Sequence, residues 1–184
     1  MSQKKIIVLF CALLLPVAIF LFLKSFGKNE FNVEPLYQKP IPTDARCAGY
    51  SYQFPYSIPD SLVSILFQGN KDTLALVILA DTSTDIEKHL TNQLDRIFKE
   101  SALTHIFLLH NGTQKITEVD SRVTSITTDQ SNFQALKYCA LLLSAEQSAV
   151  LIDDRGRIRG QYTLSELDEA DRLIVEAKIM LKQY

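Results

Sequence analysis

Three cysteines and three histidines are the residues of this chain whose types could hold a soft metal or carry thiol chemistry: Cys11, Cys47, Cys139, His89, His105 and His110. No two cysteines stand in a CxxC or CxxxC pair, the spacing that lets two thiolates share a metal or exchange a disulfide at one helix start. Cys47 and Cys139 could pair in an oxidising compartment, cycle as a dithiol, or form an unconventional metal site; equally, Cys139 borders the apolar stripe of a predicted helix and reads as a buried core residue. Cys11 lies inside an apolar run, after Leu9 and Phe10, and reads as a small apolar side chain. His105 and His110 are five apart along a predicted strand, so they point to opposite faces and make no metal pair. His89, beside Leu90 on a predicted helix, reads as solvent-facing. Asp81 and Asp85 read as helix caps, because no nucleophile or second base accompanies them. Asn111-Gly112-Thr113 matches a glycosylation sequon but is explained as a turn. Arg155, Arg157 and Arg159 flank Asp153 and Asp154 in what reads as a charge-paired hairpin turn, or else as a partner-docking surface. No catalytic, cofactor-binding or metal-binding residue is assigned.

These residues need elements to position them. Leu74–Ala80 is a continuous apolar run of strand length, as in a strand buried on both faces. The polar stretch from Asp81 to Asp85 then opens a helix with Ile86, Leu90, Leu94, Ile97 and Phe98 on one face. Leu103–Leu109 reads as a second buried strand ending at Asn111-Gly112, and strand, helix and strand on this spacing give a right-handed parallel crossover. Val123–Thr127 reads as a third, weaker strand. Asp129 or Ser131 caps a helix with Phe133, Leu136, Ala140 and Leu143 as its stripe. Ala149–Ile152 and Ile158–Tyr162 form a hairpin in which Gly156 supplies the positive φ. Thr163 and Glu166 have capping-box spacing and open a last helix carrying Leu167, Ala170, Leu173, Ile174, Ala177 and Leu181.

At 184 residues the chain has room for one ordinary domain, and 47% hydrophobic with 22% charged residues is the composition of a folded one. Nineteen Lys and Arg against twenty-one Asp and Glu give a formal charge of −2, which argues against a nucleic-acid footprint. Ile6–Leu23 carries no charge, and as a helix it would span roughly 27 Å, close to a bilayer core. Its length, and the absence of a small-x-small site after it, favour an uncleaved anchor over a cleaved signal peptide. Residues 1–24 are thus expected to be a membrane anchor with its N-terminus inside. Residues 25–59, which hold Pro35, Pro40, Pro42, Pro55 and Pro59 and many aromatics, are expected to be an extended stalk outside the core, with one short strand near Tyr50–Phe54. Residues 60–184 are the expected globular domain.

A βαβ unit, a further helix, a β-hairpin and a closing helix is the element order of a thioredoxin-like α/β fold: a central mixed sheet flanked by helices, with a C-terminal hairpin plus helix, here behind one N-terminal transmembrane helix. Val150 to Tyr162, followed by Asp171-Arg172-Leu173-Ile174, resembles the C-terminal hairpin and helix of the Sco/SenC family, as do the anchor and Ile58-Pro59-Asp60 more loosely. The resemblance implies a membrane-anchored, periplasmic domain related to the copper chaperones of cytochrome c oxidase assembly. That family's ligands are a CxxxC after the first buried strand and a His before the hairpin, a set suited to Cu(I). In this chain those positions fall at about Thr82, Ile86 and Ala145. The resemblance therefore implies a non-catalytic assembly or binding protein with no copper or other cofactor, with the membrane and a protein of oxidase assembly as its partners, and with neither nucleic acid nor a small-molecule substrate. Two alternatives stand beside it: an exported thiol-disulfide or metal-binding protein using Cys47 and Cys139, and a thioredoxin-like exported domain of another family.

Overall fold

A computed structural model describes residues 3–26, 33–41, 44–69, 73–80, 93–101, 103, 105–112 and 121–181. The chain divides into two compact units, Met1–Asn32 and Val33–Tyr184. The described part of the first is one helix, α1 (Gln3–Phe26), which contains Pro16. Its described side chains at 12–22 are apolar and exposed on every side of the helix. Among the described residues no helix is long and apolar enough to cross a membrane, so the span expected at Ile6–Leu23 is not carried by them.

The second unit is built on a five-stranded sheet. Its strands are β1 (Leu74–Ala80), β2 (His105–Asn111), β3 (Val123–Thr128), β4 (Ala149–Asp153) and β5 (Ile158–Tyr162), in the spatial order β3-β2-β1-β4-β5. β1 pairs with β2 and β2 with β3 in parallel, whereas β4 is antiparallel to both β1 and β5. A parallel pair extended by an antiparallel hairpin is the mixed sheet expected of a thioredoxin-like fold. The alternation of side chains along β1 divides the core. Leu74, Leu76, Ile78 and Ala80 pack with α3 (93–100) and α5 (Leu167–Leu181), while Ala75, Val77 and Leu79 pack with α2 (Asp60–Phe67) and α4 (Gln130–Ala135). Because helices cover both faces, β1 is buried at every position, which is why it has no polar alternation.

Several expectations are corrected. Residues 33–59 are not a stalk: they belong to the same compact unit as the sheet, with Cys47, Tyr56 and Ile58 buried and no strand at Tyr50–Phe54. Their prolines bar regular pairing, yet the segment still packs through its aromatic rings. α2, which was not anticipated, begins directly after Pro59. The second strand starts at His105 rather than Leu103. α5 starts at Leu167, later than a capping box at Thr163 would put it, after a turn in which the Glu166 N–H donates to the Thr163 carbonyl at 2.9 Å. The first half of the helix expected after β1, including Asp81, Thr82, Asp85, Ile86, His89 and Leu90, lies outside the described residues. Asp129 does cap α4, its carboxylate accepting the Asn132 N–H at 2.8 Å. That helix then widens into a π-type turn over Leu136–Ala140.

Two glycines have steric reasons. Gly156 sits in the hairpin turn at φ +74°, and a Cβ there would stand 2.8 Å from Val63 and 3.3 Å from Ile58. Gly160 lies beneath the ring of Tyr162, two residues along the same face of β5, and a Cβ there would collide with the phenol. Tyr162 is fully buried and its hydroxyl is tied to Glu176 on α5 at 2.6 Å, so the ring has nowhere to retreat. Gly160→Ala is expected to cost about 1–3 kcal/mol by overpacking and Gly156→Ala about 1 kcal/mol or more by backbone strain. Gly49→Ala, where a Cβ meets nothing within 4 Å, should stay within about 0.5 kcal/mol. Urea unfolding midpoints at constant slope would rank the three.

Candidate functional site

An α-helix leaves its last carbonyls without intrahelical donors, and burying them demands partners from elsewhere. At the end of the α4 and π-turn segment these partners are side chains. Tyr52 donates its hydroxyl to the Cys139 carbonyl at 3.1 Å, Tyr56 to Ala140 at 2.6 Å and Tyr37 to Leu142 at 3.3 Å. The Gln161 amide of β5 donates to both Leu141 and Leu142 at 3.0 Å, and its oxygen shares the single Tyr37 hydroxyl proton with Leu142 at 2.8 Å. Leu142 is held at φ +53°, in the left-handed region. The tyrosine rings meet one another edge-on or tilted, Tyr37 on Tyr56 and Tyr52 on Tyr56.

The disulfide stands in the middle of this arrangement. Cys47, on the short turn Ala45–Cys47, is bonded to Cys139 in the π turn, with Cα atoms 5.5 Å apart. The residues are 1% and 3% exposed. Asp44 caps the Cys47 turn and forks onto Arg46, which holds its carboxyl down at about 2. The Arg46 guanidinium lies 3.7 Å above the centre of the Tyr138 ring. A bond shielded from solvent on both sides is unsuited to rapid exchange with an external thiolate, which must reach one sulfur in line. Its physical effect is to fasten residues 33–59 to the helix end.

Beyond the π turn the chain passes through Ala145, at the position where the resemblance puts a histidine ligand. Ala145 is exposed, and its carbonyl receives the ammonium of Lys137 at 3.2 Å. Lys137 is 3% exposed and lies 5.5 Å from the centre of the Tyr138 ring. A fixed cation thus occupies this loop. Thr82 and Ile86, the other two positions, lie outside the described residues, as do Asp81, Asp85 and His89.

The hairpin arginines are charge-paired as expected, but round a buried carboxylate rather than in solvent. Asp153 is fully buried; its carboxylate accepts the backbone N–H groups of Arg155 at 3.1 Å and Arg157 at 2.9 Å, and the Arg157 Nε at 2.8 Å. Arg159, 7% exposed, reaches the same carboxylate at 3.5 Å and points its Nε at the Met180 sulfur. Only Arg155 is exposed. His105 and His110 do face opposite sides of β2. His110 is buried, with Nε2 at 2.9 Å from the Ser125 hydroxyl and 3.1 Å from that of Thr127. Among the described residues no group of three His, Cys, Asp or Glu side chains converges on a common point.

The groups that sequence reasoning did not single out are the tyrosine hydroxyls, Gln161 and Lys137. One signal was available: Tyr50, Tyr52, Phe54 and Tyr56 recur every second residue, the period of a one-sided packing surface.

No family model matches the chain, and no curated protein matches it. Solved structures similar in backbone include two that are named here. One is BsSco, a member of the Sco family of cytochrome c oxidase assembly proteins, at 12% identity over 62% of this chain and 83% of that one, with a TM-score of 0.43. The other is Trgpx in its apo form, at 16% identity over 72% of this chain and 97% of that one, with a TM-score of 0.39.

Two predictions follow from the geometry. The disulfide closes a loop with a sequence separation of 92, so Cys47→Ser or Cys139→Ser should cost about 2–5 kcal/mol in urea unfolding. In the native protein both sulfurs should resist dithiothreitol and alkylation until denaturant is added. The second concerns alkali. Burial raises Tyr37, Tyr56 and Tyr162 above the ordinary phenol value of 10.0, and the Glu176 carboxylate raises Tyr162 further. A raised phenol favours folding only while the unfolded chain stays protonated. The contribution of these phenols to stability should therefore be level below about pH 10 and fall as pH rises beyond it. Tyr162→Phe should flatten that slope, as read by melting temperature against pH.

Proposed function

We propose that this chain is a membrane-tethered, non-catalytic thioredoxin-fold protein of Sco/SenC type, a binding or assembly factor in cytochrome oxidase maturation with no copper site of its own. The observation that carries this reading is the state of the Ala145 loop, where the resemblance asks for an imidazole. A methyl group stands there, and a buried ammonium takes the carbonyl of the same residue, so the position offers a metal neither an imidazole nor an uncommitted oxygen. By residue identity Thr82 and Ile86 offer a hydroxyl and an alkyl group in place of two thiolates, and neither is a ligand for Cu(I). Cys47 and Cys139, whose sulfurs could have replaced them, are bonded to each other. The tether rests on the uncharged run Ile6–Leu23 with lysines on both sides. An exported location agrees with a disulfide that persists, since oxidising compartments preserve such bonds. The partner is a protein of the oxidase assembly machinery, met at the membrane surface.

A second reading has one observation in its favour: Cys47 and Cys139 are in fact paired, as a thiol-disulfide protein would require. Their burial weighs against it, because a working dithiol exposes at least one sulfur.

Anaerobic Cu(I) titration of the full chain in detergent, against a competing chelator, tests the first reading. The expected result is no binding above the chelator background, with the chain retained in membranes through alkaline carbonate washing. Stoichiometric Cu(I) binding would overturn the absence of a copper site, and release by carbonate would overturn the tether. Rapid reduction and reoxidation of the native disulfide by a glutathione buffer would restore the second reading.

A further inference from the structure

Residues 38–55 leave and rejoin the rest of the unit at one place. The Tyr56 N–H donates to the Tyr37 carbonyl at 3.0 Å, which brings the two ends of the stretch together. That base is tied to the hairpin on both sides: the Leu36 N–H reaches the Ile158 carbonyl and the Ile58 N–H the Gly156 carbonyl, each at 2.8 Å. Tyr56 and Ile58 are core residues, 6% and 1% exposed. Between these ends the chain brings little to the core. Of the described residues in 38–55, Cys47 alone is buried, Ile41, Tyr52 and Phe54 are half-buried, and the others are exposed. None of them belongs to the buried clusters on the two faces of the sheet; Tyr52 and Phe54 pack against one cluster from outside. The contacts that hold the stretch beyond its base meet on the π turn. They are the Cys47–Cys139 bond, the Tyr52 hydroxyl on the Cys139 carbonyl at 3.1 Å, and the Arg46 guanidinium 3.7 Å above the Tyr138 ring.

We infer that residues 38–55 form a loop that stays open in the reduced chain, on a sheet already folded, and that it is closed last, when exchange with an external disulfide oxidises Cys47 and Cys139. Ordering such a loop costs backbone entropy at every residue. One hydroxyl bond and one cation–ring contact between incompletely buried side chains do not offset that cost. The covalent bond does, because it holds the middle of the loop against the π turn whatever the weaker contacts contribute. The sheet has no such need of the loop, since β1 and β4 are buried at every position by residues outside 38–55. The order of events follows from access. In the closed loop Cys47 and Cys139 are 1% and 3% exposed, and a thiolate must meet a disulfide in line to react. The bond therefore forms while the loop is open. One chain thiolate attacks the donor disulfide, which gives a mixed disulfide and releases one donor thiolate. The second chain thiolate attacks the chain sulfur of that mixed disulfide and releases the other. Two electrons and two protons pass from the chain to the donor, which leaves reduced. Cys47 and Cys139 are the only cysteines of residues 33–184, so no third thiol competes and no reshuffling step follows.

The full chain in detergent, in a Cys11→Ser background, tests the inference. With Cys139→Ala added, N-ethylmaleimide should alkylate Cys47 at about a tenth of its rate in the urea-unfolded chain or faster. The urea transition of that variant should remain cooperative. The reduced chain with both cysteines should also unfold cooperatively, and should close with oxidised glutathione at a rate that doubles when the glutathione is doubled. Alkylation slower than that limit would overturn the inference, because the loop would then stay shut without the bond. A closing rate independent of glutathione would overturn it too, since the thiols would then be released only by a slow opening of the folded unit. Loss of the cooperative transition in the reduced chain would overturn it in the other direction, by showing that the sheet needs the bond. Should Cys139→Ala fail to fold, the reduced chain, which has no substitution at either position, still decides.

Discussion

The end of the α4 segment is the constraint on which the rest of this unit is arranged. Four successive residues, Cys139 to Leu142, present carbonyls that the helix itself cannot satisfy, and all four lie in or next to the buried layer. An unpartnered buried carbonyl costs roughly 1–3 kcal/mol, so leaving four of them unmet would consume most of the stability of an ordinary domain. Tyrosine suits the task because its ring fills space in the core while its hydroxyl arrives at the right height to donate. Three of the four donors come from residues 37–56, so this stretch is ordered by what it satisfies rather than by any regular structure of its own. The disulfide then fixes the same stretch at Cys47, in the unfolded ensemble as well as in the folded state.

A different device orders the hairpin. Asp153 ends β4 at zero exposure, and a lone carboxylate there would be severely destabilising. It is met by two backbone N–H groups of the turn and by the guanidinium of Arg157, with Arg159 beside it. The turn geometry and the carboxylate depend on each other: Gly156 allows the backbone to fold round the oxygen atoms, and the oxygen atoms hold the turn closed. The same turn supports the lead-in chain, because the Gly156 carbonyl accepts the Ile58 N–H at 2.8 Å. The hairpin, residues 33–59 and α2 are thereby one cooperative unit packed on the face of the sheet opposite α5.

Where burial is two-sided the sequence is plain to read. Leu74–Ala80 and Ala149–Ile152 could hardly be anything but interior strands, and the Gly156 turn and a cap at Asp129 or Ser131 follow from local chemistry that distant residues do not alter. The thioredoxin-like order of elements followed from those segments. Residues 33–59 were misread because proline argues correctly against a ladder but says nothing about side-chain burial. The carbonyls that Tyr37, Tyr52 and Tyr56 reach are about 85 to 105 residues away, and no local pattern records such a partnership. The Cys47–Cys139 bond was open for the same reason: two cysteines in a sequence carry no distance. Asp153 illustrates the converse error, since a charged turn reads as solvated unless the burial of the strand before it is taken to include its last residue.

A thioredoxin-like sheet presents its chemistry at the carboxyl end of the first strand, where a helix start and the loop before the hairpin converge. In this chain the loop side of that junction is occupied by its own groups. The Lys137 ammonium fills the hydrogen-bonding position at Ala145, and the π turn beside it is fastened by a covalent bond and capped by three phenols. Each of these contacts stabilises a single arrangement of the segment that leads into the hairpin. Metal transfer needs donors that can be reached and released, while a staple and a ring of satisfied hydrogen bonds favour one fixed arrangement.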